Sequence, residues 1–250
     1  MPTSNKYIIT PVIKLVEQIK PSSVLDVGLG FGKWGFLLRE YLEVWSWDKN
    51  LYDAYENKFK WSLSIDGVEI CGKYVKDLQR NIYDKIFIED VFMAVDKVAN
   101  YDLFILGDVI EHFEKEKGKI LLDKCFDKAN KAVLVMTPAT FFPQEGMYGN
   151  FAEKHKSLWT EDDFKKYGKV YLSYTRGGLI IILSKTDKNF KFENRYKLIG
   201  LLNKFIAFLQ ASNIRNYGIE NYNRGFILGL YKTLQRCLSS QNRSPNPSVV

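Results

Sequence analysis

The densest group of side chains able to do chemistry is the segment D-V-I-E-H-F, Asp108 to Phe113. It holds two carboxylates and one of the two histidines of the chain, and the second histidine is His155. An imidazole with an ordinary pKa of about 6.5 suits a general base that deprotonates a hydroxyl at neutral pH. Alternatively, Asp108, Glu111 and His112 ligate Mg²⁺, Mn²⁺ or Zn²⁺, which would lower the pKa of a substrate hydroxyl. As a third interpretation, Glu111 and His112 only cap the helix that follows.

His155 lies in a long stretch, residues 141–159, that has no helical period. Long irregular loops in compact domains are usually functional, although an inert lid is the alternative. The loop offers hydrogen-bonding and stacking groups that suit a polyhydroxylated or nucleotide ligand. They are Glu145, Tyr148, Asn150, Glu153, His155, Ser157 and Trp159.

A glycine-rich turn follows the apolar residues 24–27, in the sequence V-L-D-V-G-L-G-F-G-K-W-G. Gly28, Gly30 and Gly32 stand at alternate positions after Asp26. Without a Cβ the backbone turns sharply and approaches a ligand closely, and a helix that follows points its N-terminal amides at the turn. The dinucleotide-binding fingerprint places its third glycine one position later, where this chain has Lys33.

Three further predicted strands also end in acidic residues. Glu69 closes I-D-G-V-E, Asp90 closes I-E-D, and Asp108 follows Gly107. In an open α/β sheet, ligands bind beyond the carboxyl ends of the strands, so these side chains should meet at one edge. A carboxylate can accept hydrogen bonds from two hydroxyls at once. The alternative is that Glu69 and Asp90 only cap loops.

The elements that position these residues alternate between strand and helix. Thr10 is the predicted N-cap of a leading helix that ends at residue 19, and Thr160 with Asp163 predicts a capping box. Five strands and a closing hairpin imply a mostly parallel sheet with one reversed strand. The predicted strands are 23–27, 64–70, 85–89, 101–106, 132–136, 170–174 and 179–184, and the principal helices are 34–42 and 115–129.

On these motifs, residues 20–185 resemble a class I S-adenosylmethionine (SAM)-dependent methyltransferase. In that family a strand ends in an acidic residue followed by G-x-G-x-G, and D-x-x-E-H follows the fourth strand. The chain is similar to bacterial methyltransferases found with polysaccharide-biosynthesis enzymes, through G-F-G-K-W-G-F-L-L-R-E-Y-L, D-V-I-E-H-F and G-N…E-x-H-x-S-x-W. The resemblance implies a Rossmann-like α/β fold with a seven-stranded, mostly parallel sheet and a C-terminal antiparallel hairpin strand.

The resemblance also implies roles for residues. The turn from Gly28 to Gly32 holds the methionine and ribose, Glu69 accepts the ribose hydroxyls, and Asp90 with Val91 or Phe92 meets the adenine. The implied SAM-binding set is Asp26, Gly28, Gly30, Gly32, Glu69, Asp90, Val91 and Asp108, and the implied catalytic set is Asp108, Glu111, His112 and His155. The latter set also resembles the metal site of small-RNA 3′-end 2′-O-methyltransferases.

The first functional interpretation is O-methylation of a sugar or nucleotide-linked sugar in surface-polysaccharide biosynthesis. A hydroxyl would attack the sulfonium methyl in line while His112 or His155 takes the proton, and the rate would come chiefly from positioning. The second is metal-assisted RNA 2′-O-methylation, with basic C-terminal helices contacting phosphates. The third is a methyltransferase-like binding protein without catalysis.

The charge of the chain is unevenly placed. Residues 1–185 carry 26 basic and 26 acidic side chains, while residues 186–250 carry 10 and 3, which accounts for the whole net charge of +7. The body is therefore not a general polyanion binder. We predict a SAM-binding domain at 1–186, a helical extension at 187–238 whose apolar stripe would support a homo-oligomer, and a disordered tail at 239–250.

Two further expectations concern the environment of the protein. The sequence has no 18-residue apolar run and no secretory signal pattern, so no membrane span is expected. Cys71, Cys125 and Cys237 are far apart, which is typical of isolated thiols in a reducing cytoplasm.

Overall fold

The computed structural model of the chain describes residues 3–44, 61–141, 143–146, 149–175 and 178–192. Residues 45–60, nearly all of the predicted helical extension and the predicted tail lie outside the described residues. The division of the chain at residue 186 therefore stays a prediction.

A seven-stranded sheet forms the centre of the described region. Its order is β3-β2-β1-β4-β5-β7-β6, and β7 runs antiparallel to both of its neighbours while the other pairs are parallel. The predicted Rossmann-like fold class, a mostly parallel sheet closed by an antiparallel hairpin, is confirmed. The strands are β1 Ser23–Val27, β2 Ser64–Val68, β3 Lys85–Phe87, β4 Tyr101–Gly107, β5 Ala129–Thr137, β6 Lys169–Tyr174 and β7 Leu179–Ser184.

Helices connect the parallel strands, as a parallel sheet requires. No helix within the described ranges is both long and apolar enough to cross a membrane. The α-helices are α1 Ile9–Ile19, α2 Lys33–Arg39, α3 Asp77–Ile82, α4 Val91–Lys97 and α5 Lys115–Lys128. A π-helical turn, Glu40–Val44, continues α2, and 3₁₀ turns occur at Lys6–Ile8, Gly72–Tyr74, Ile110–His112, Phe151–Glu153 and Glu161–Tyr167.

Two predictions of local structure need correction. Thr10 is not a cap, because the 3₁₀ turn that Asn5 caps leads directly into α1 at Ile9. Helix α4 was missed, and its N-cap is Asp90. The capping box of Thr160 and Asp163 is confirmed, although the segment that it begins is a 3₁₀ helix.

The core lies on both faces of the sheet, because neighbouring strand residues point to opposite sides. Leu25 and Phe104 belong to one buried cluster, whereas Val24, Leu103 and Ile105 belong to the other. All of β4 except its last residue is buried, as its near-continuous apolar sequence predicts.

Arg39, at the end of α2, fastens this helix to the sheet. Its guanidinium donates to the carbonyl oxygens of Ile82, at 3.0 Å, and of Leu63. It also pairs with Glu43 at 2.7 Å and with Asp84 at 3.1 Å. Since the side chains of Arg39 and Glu43 are both buried, removing one partner would leave an uncompensated charge in a medium of low polarity.

We therefore expect Arg39→Ala to lower the free energy of unfolding by about 3 kcal/mol, the usual cost of breaking a buried ion pair. Urea denaturation followed by circular dichroism measures this. The matched control is Lys119→Ala, which breaks an exposed pair with Glu116 and should leave the midpoint unchanged. Equal midpoints for both variants would contradict this role of Arg39.

Candidate active site

A cavity of about 1040 Å³ opens at the carboxyl ends of β1, β2 and β4 and is covered in part by the loop after β5. It brings together most of the residues that the sequence singled out. Asp26 and Gly32 are not among its lining residues. Those that line it are Gly28, Gly30, Glu69, Asp90, Val91, Asp108, Glu111, His112 and His155.

The glycine turn is forced into its shape by close packing. Gly28 has a φ of 71°, and a Cβ placed there would lie 2.7 Å from Cγ2 of Val109. Gly32, with a φ of 80°, is the N-cap of α2. Both conformations are ones that residues with a Cβ rarely adopt. The turn after β1 therefore lies directly against the segment after β4.

Asp26 supports this turn from beneath. It is fully buried, and its Oδ2 accepts a hydrogen bond of 2.5 Å from the hydroxyl of Tyr83. The same hydroxyl accepts a bond of 3.1 Å from the amide of Gly35 in α2. Burial raises the pKa of Asp26 to about 7, against the opposing effect of the Tyr83 bond. Through Tyr83, Asp26 thus holds α2 against the sheet. It does not line the cavity itself, and it acts on the cavity only by supporting the glycine turn.

Glu69 joins the end of β2 to the glycine turn and also faces the cavity. Its Oε2 accepts the amide of Gly30 at 2.9 Å, and its Oε1 accepts the amide of Cys71 at 2.8 Å. Burial raises the pKa of Glu69 and the charge of Glu153 raises it further, against the lowering effect of the two amides. Each oxygen keeps a second lone pair for a ligand hydroxyl, so capping and ligand binding are compatible.

Asp90 also combines a capping role with a place in the cavity wall. Its Oδ1 accepts the amide of Phe92 at 2.9 Å and so caps α4, and the residue also lines the cavity with Val91 and Phe92. The apolar side chains beside it suit the flat face of a base.

The carboxylate of Asp108 is not part of the group that Glu111 and the two histidines form. Its backbone is left-handed, with a φ of 55°, and its side chain is bonded to Ser4 and close to Lys33. Burial raises the pKa of Asp108, and these two partners lower it. Of the four side chains predicted as metal ligands, the structure groups three and places Asp108 beside a lysine.

Glu111, His112 and His155 form that group. One ligand atom from each lies within 4.8 Å of the others, and the two imidazole rings are 4.9 Å apart between centroids. Two backbone bonds align the segments, since the amides of Lys156 and Ser157 donate to the carbonyl of Glu111 at 2.8 and 3.1 Å. These backbone hydrogen bonds therefore hold the segment of His155 beside the segment that follows β4.

A neutral imidazole and a buried carboxylate oxygen without a partner in the described region are the two features of this group that suit a cation. Burial and the neighbouring His155 lower the pKa of His112 to about 4, so its imidazole is neutral at pH 7. Glu111 is buried, and burial with the charge of Asp108 raises its pKa. Its Oε2 accepts the hydroxyl of Thr137 at 3.2 Å, whereas its Oε1 has no hydrogen-bond partner among the described residues. A buried acceptor without a partner is costly unless a ligand supplies one.

A backbone carbonyl orients the imidazole ring of His112. Its Nδ1 lies 3.4 Å from the carbonyl of Lys154. Metal-binding histidines usually donate their other ring N–H to a carbonyl or carboxylate, which fixes the free nitrogen toward the metal. One carboxylate and two imidazoles also form a common ligand set for a catalytic divalent metal.

Not all of the side chains predicted as ligand groups in the loop after β5 face the cavity. Trp159 is fully buried in the core against Phe164 and so does not stack on a ligand. Glu145 is exposed and pairs with Lys154. Tyr148 lies outside the described residues.

Two residues that the sequence did not assign to a role belong to the site. Lys33 lines the cavity beside Asp108, and its position immediately after the third glycine was the available signal. Tyr74 also lines the cavity and donates its hydroxyl to Glu153. That contact joins segments 79 residues apart, so no local pattern could predict it.

No family model and no curated protein matches this sequence. Solved structures with a similar arrangement include three methyltransferases or candidates. A candidate O-methyltransferase from Nostoc punctiforme PCC 73102 is 17% identical over 72% of this chain and 57% of its own, with a TM-score of 0.47. Magnesium protoporphyrin IX methyltransferase from Synechocystis PCC 6803, with bound SAM, is 14% identical over 71% of this chain and 78% of its own, with a TM-score of 0.46. The methyltransferase domain of bacterial CtHen1-C is 16% identical over 70% of this chain and 95% of its own, with a TM-score of 0.46.

The chain thus spans little more than half of the Nostoc protein. Identities this low and TM-scores below 0.5 support no conclusion about the cofactor or substrate of this chain, which has to be argued from its own residues.

The packing of Gly28 gives a direct test. Gly28→Ala should destabilise the fold by about 2–4 kcal/mol, because it adds a clash with Val109 to the cost of a left-handed alanine. Gly168→Ala is the matched control, with a φ of 73° and nothing within 4 Å of the added Cβ, and should cost only the conformational part. Urea denaturation of both variants gives the difference, and equal losses would show that the contact with Val109 does not constrain the turn.

Proposed function

We propose that this protein is a SAM-dependent methyltransferase that methylates a sugar hydroxyl, with a divalent cation at Glu111, His112 and His155. The observation that carries the proposal is that this group shares one cavity with the Gly28 turn and Glu69. A nucleoside-binding edge and a hydroxyl-activating group are what such a transfer needs in one place.

The residues around the turn fit SAM. Glu69 is 6% exposed and still lines the cavity, so it can accept the ribose hydroxyls away from competing water. The absence of a Cβ at Gly28 and Gly30 lets the backbone approach the methionine portion. Asp90 and Val91 would meet the adenine. When bound, SAM supplies a sulfonium methyl that is already activated toward a nucleophile.

The three grouped side chains fit a divalent cation, which when bound would lower the pKa of a substrate hydroxyl. Glu111 offers an oxygen that lacks a partner within the described part of the chain, and His112 is neutral at pH 7. Thr137 and the carbonyl of Lys154 hold Glu111 and His112 in position. Holding the acceptor in line with the methyl would be the main contribution of the protein to the rate.

For the acceptor, we propose a nucleotide-linked sugar, since the lining of the cavity includes lysines that can pair with its phosphates and carboxylates that can accept its hydroxyls. RNA 2′-O-methylation is the second candidate. It is favoured by the same group of Glu111, His112 and His155, because a 2′-hydroxyl is also a sugar hydroxyl that a cation can activate.

Calorimetry with SAM tests the cofactor site. Glu69→Ala should weaken binding by about tenfold or more, because charge-assisted hydrogen bonds of about 1.5–3 kcal/mol are lost. Glu145→Ala, which removes an exposed carboxylate of the loop after β5, should bind as the wild type does. Unchanged affinity in Glu69→Ala would reject Glu69 as the ribose acceptor.

Manganese binding tests the cation site independently of activity. The wild type should bind one Mn²⁺, observed by electron paramagnetic resonance, and His112→Ala or His155→Ala should abolish this binding. Asp108→Asn should retain it, because Asp108 lies outside the group. If neither histidine variant loses Mn²⁺, the cation site is elsewhere or absent.

The acceptor is tested by mass spectrometry. The enzyme, SAM and Mn²⁺ would be incubated with a panel of nucleotide sugars and with short RNAs, and we expect a gain of one methyl group on a nucleotide sugar that EDTA suppresses. Methylation of RNA alone would select the second candidate, and transfer unaffected by EDTA would contradict the role of the cation.

A further inference from the structure

Glu153 is a buried carboxylate with one oxygen unused. It is 6% exposed and ends the 3₁₀ turn Phe151–Glu153. One oxygen, Oε1, accepts the hydroxyl of Tyr74. The other, Oε2, is buried and has no hydrogen-bond partner among the described residues. A buried acceptor left without a partner costs stability, and because Glu153 lines the cavity, a ligand there is a source of the missing donor.

The position of Glu153 identifies which part of the cavity it serves. Both Glu153 and its partner Tyr74 line the cavity. Tyr74 follows Glu69 by five residues, and its ring lies 5.6 Å from that of Phe31, next to Gly30 of the turn. The charge of Glu153 also acts on Glu69. Glu153 therefore stands at the Glu69 end of the cavity, although it belongs to the loop that carries His155.

We propose that Glu153 is a second cofactor-binding carboxylate, whose Oε2 accepts a hydrogen bond from a ribose hydroxyl of bound SAM. This inference rests on the proposed function and deepens it. A carboxylate has acceptors only, so two of them near one another need a ligand that brings several donors. The adjacent 2′- and 3′-hydroxyls of a ribose do so, with Glu69 on one side and Glu153 on the other.

This contact links the cofactor to the cation group. Gln144 donates its side-chain amide to the carbonyl of Glu153 at 2.8 Å and accepts the amide of His155 at 3.0 Å. The next residue, Lys156, is bonded to the carbonyl of Glu111. A ligand that holds Glu153 therefore holds His155 in register with Glu111, and binding at one end of the cavity favours binding at the other.

The test combines a change in the protein with a change in the ligand. Calorimetry would compare S-adenosylhomocysteine (SAH) with its 2′-deoxy and 3′-deoxy analogues. In the wild type, one analogue should bind about tenfold more weakly than SAH because it lacks the hydroxyl that Glu153 accepts. In Glu153→Gln, SAH itself should bind more weakly, and the penalty for that analogue should fall to a fewfold at most.

A matched control separates this role from a structural one. Glu145→Gln makes the same substitution on the exposed part of the same loop and should keep the wild-type penalty. If Glu153→Gln does not fold, the absence of a penalty for both analogues in the wild type would still overturn the proposal.

A second readout follows the link to His155. The Mn²⁺ affinity of the wild type should rise severalfold when SAH is added, and the rise should be smaller in Glu153→Gln. The proposal would be overturned if Glu153→Gln bound both deoxy analogues with the same loss of affinity as the wild type. It would also be overturned if the rise in Mn²⁺ affinity on adding SAH were the same in this variant. In either case, binding of SAH to the wild type would leave the proposed function standing. Absence of SAH binding to the wild type would overturn both.

Discussion

The close contact between Gly28 and Val109 is the constraint on which the site depends. β1 and β4 are neighbours in the sheet, and the turn after β1 can lie against the segment after β4 only because Gly28 has no Cβ. The contact fixes the separation between the glycine turn and the residues that follow Val109, which include Glu111 and His112. The glycine turn and the group of Glu111, His112 and His155 then share one cavity because of the way two strand ends pack.

Buried carboxylates give the cavity its chemical character. Glu69, Glu111 and Glu153 are all nearly inaccessible to water, and Glu111 and Glu153 each carry an oxygen without a hydrogen-bond partner in the described region. Burying these groups costs stability, which the large core on both faces of the sheet offsets. The same environment strengthens any interaction with a cation or hydroxyl that enters, because few water molecules compete. The buried carboxylates therefore lower the stability of the cavity wall, and the same burial would strengthen their contacts with a ligand.

Much of the framework could be predicted from the sequence, since it rests on local patterns. β1 and β7 begin and end where their apolar runs do, and the strand-end acids meet at one edge because parallel strands share a direction. α4 was missed because Asp90 was interpreted as a ligand contact or as a loop cap, and not as the N-cap of a helix. The carboxylate of Asp108 is bonded to Ser4, over a hundred residues away, and no local pattern could predict that contact. The contact of Tyr74 with Glu153 also joins distant parts of the chain, so it can be seen only in the folded structure.

The central claim is that the turn and the histidine group serve one reaction, and paramagnetic NMR tests it most directly. SAM carrying a ¹³C-labelled methyl group would be bound to the enzyme, and its methyl resonance recorded with Mg²⁺ and then with Mn²⁺. We expect strong relaxation of the methyl carbon by Mn²⁺, and none when His155 is replaced by alanine. A methyl resonance of bound SAM that Mn²⁺ leaves unaffected would contradict it.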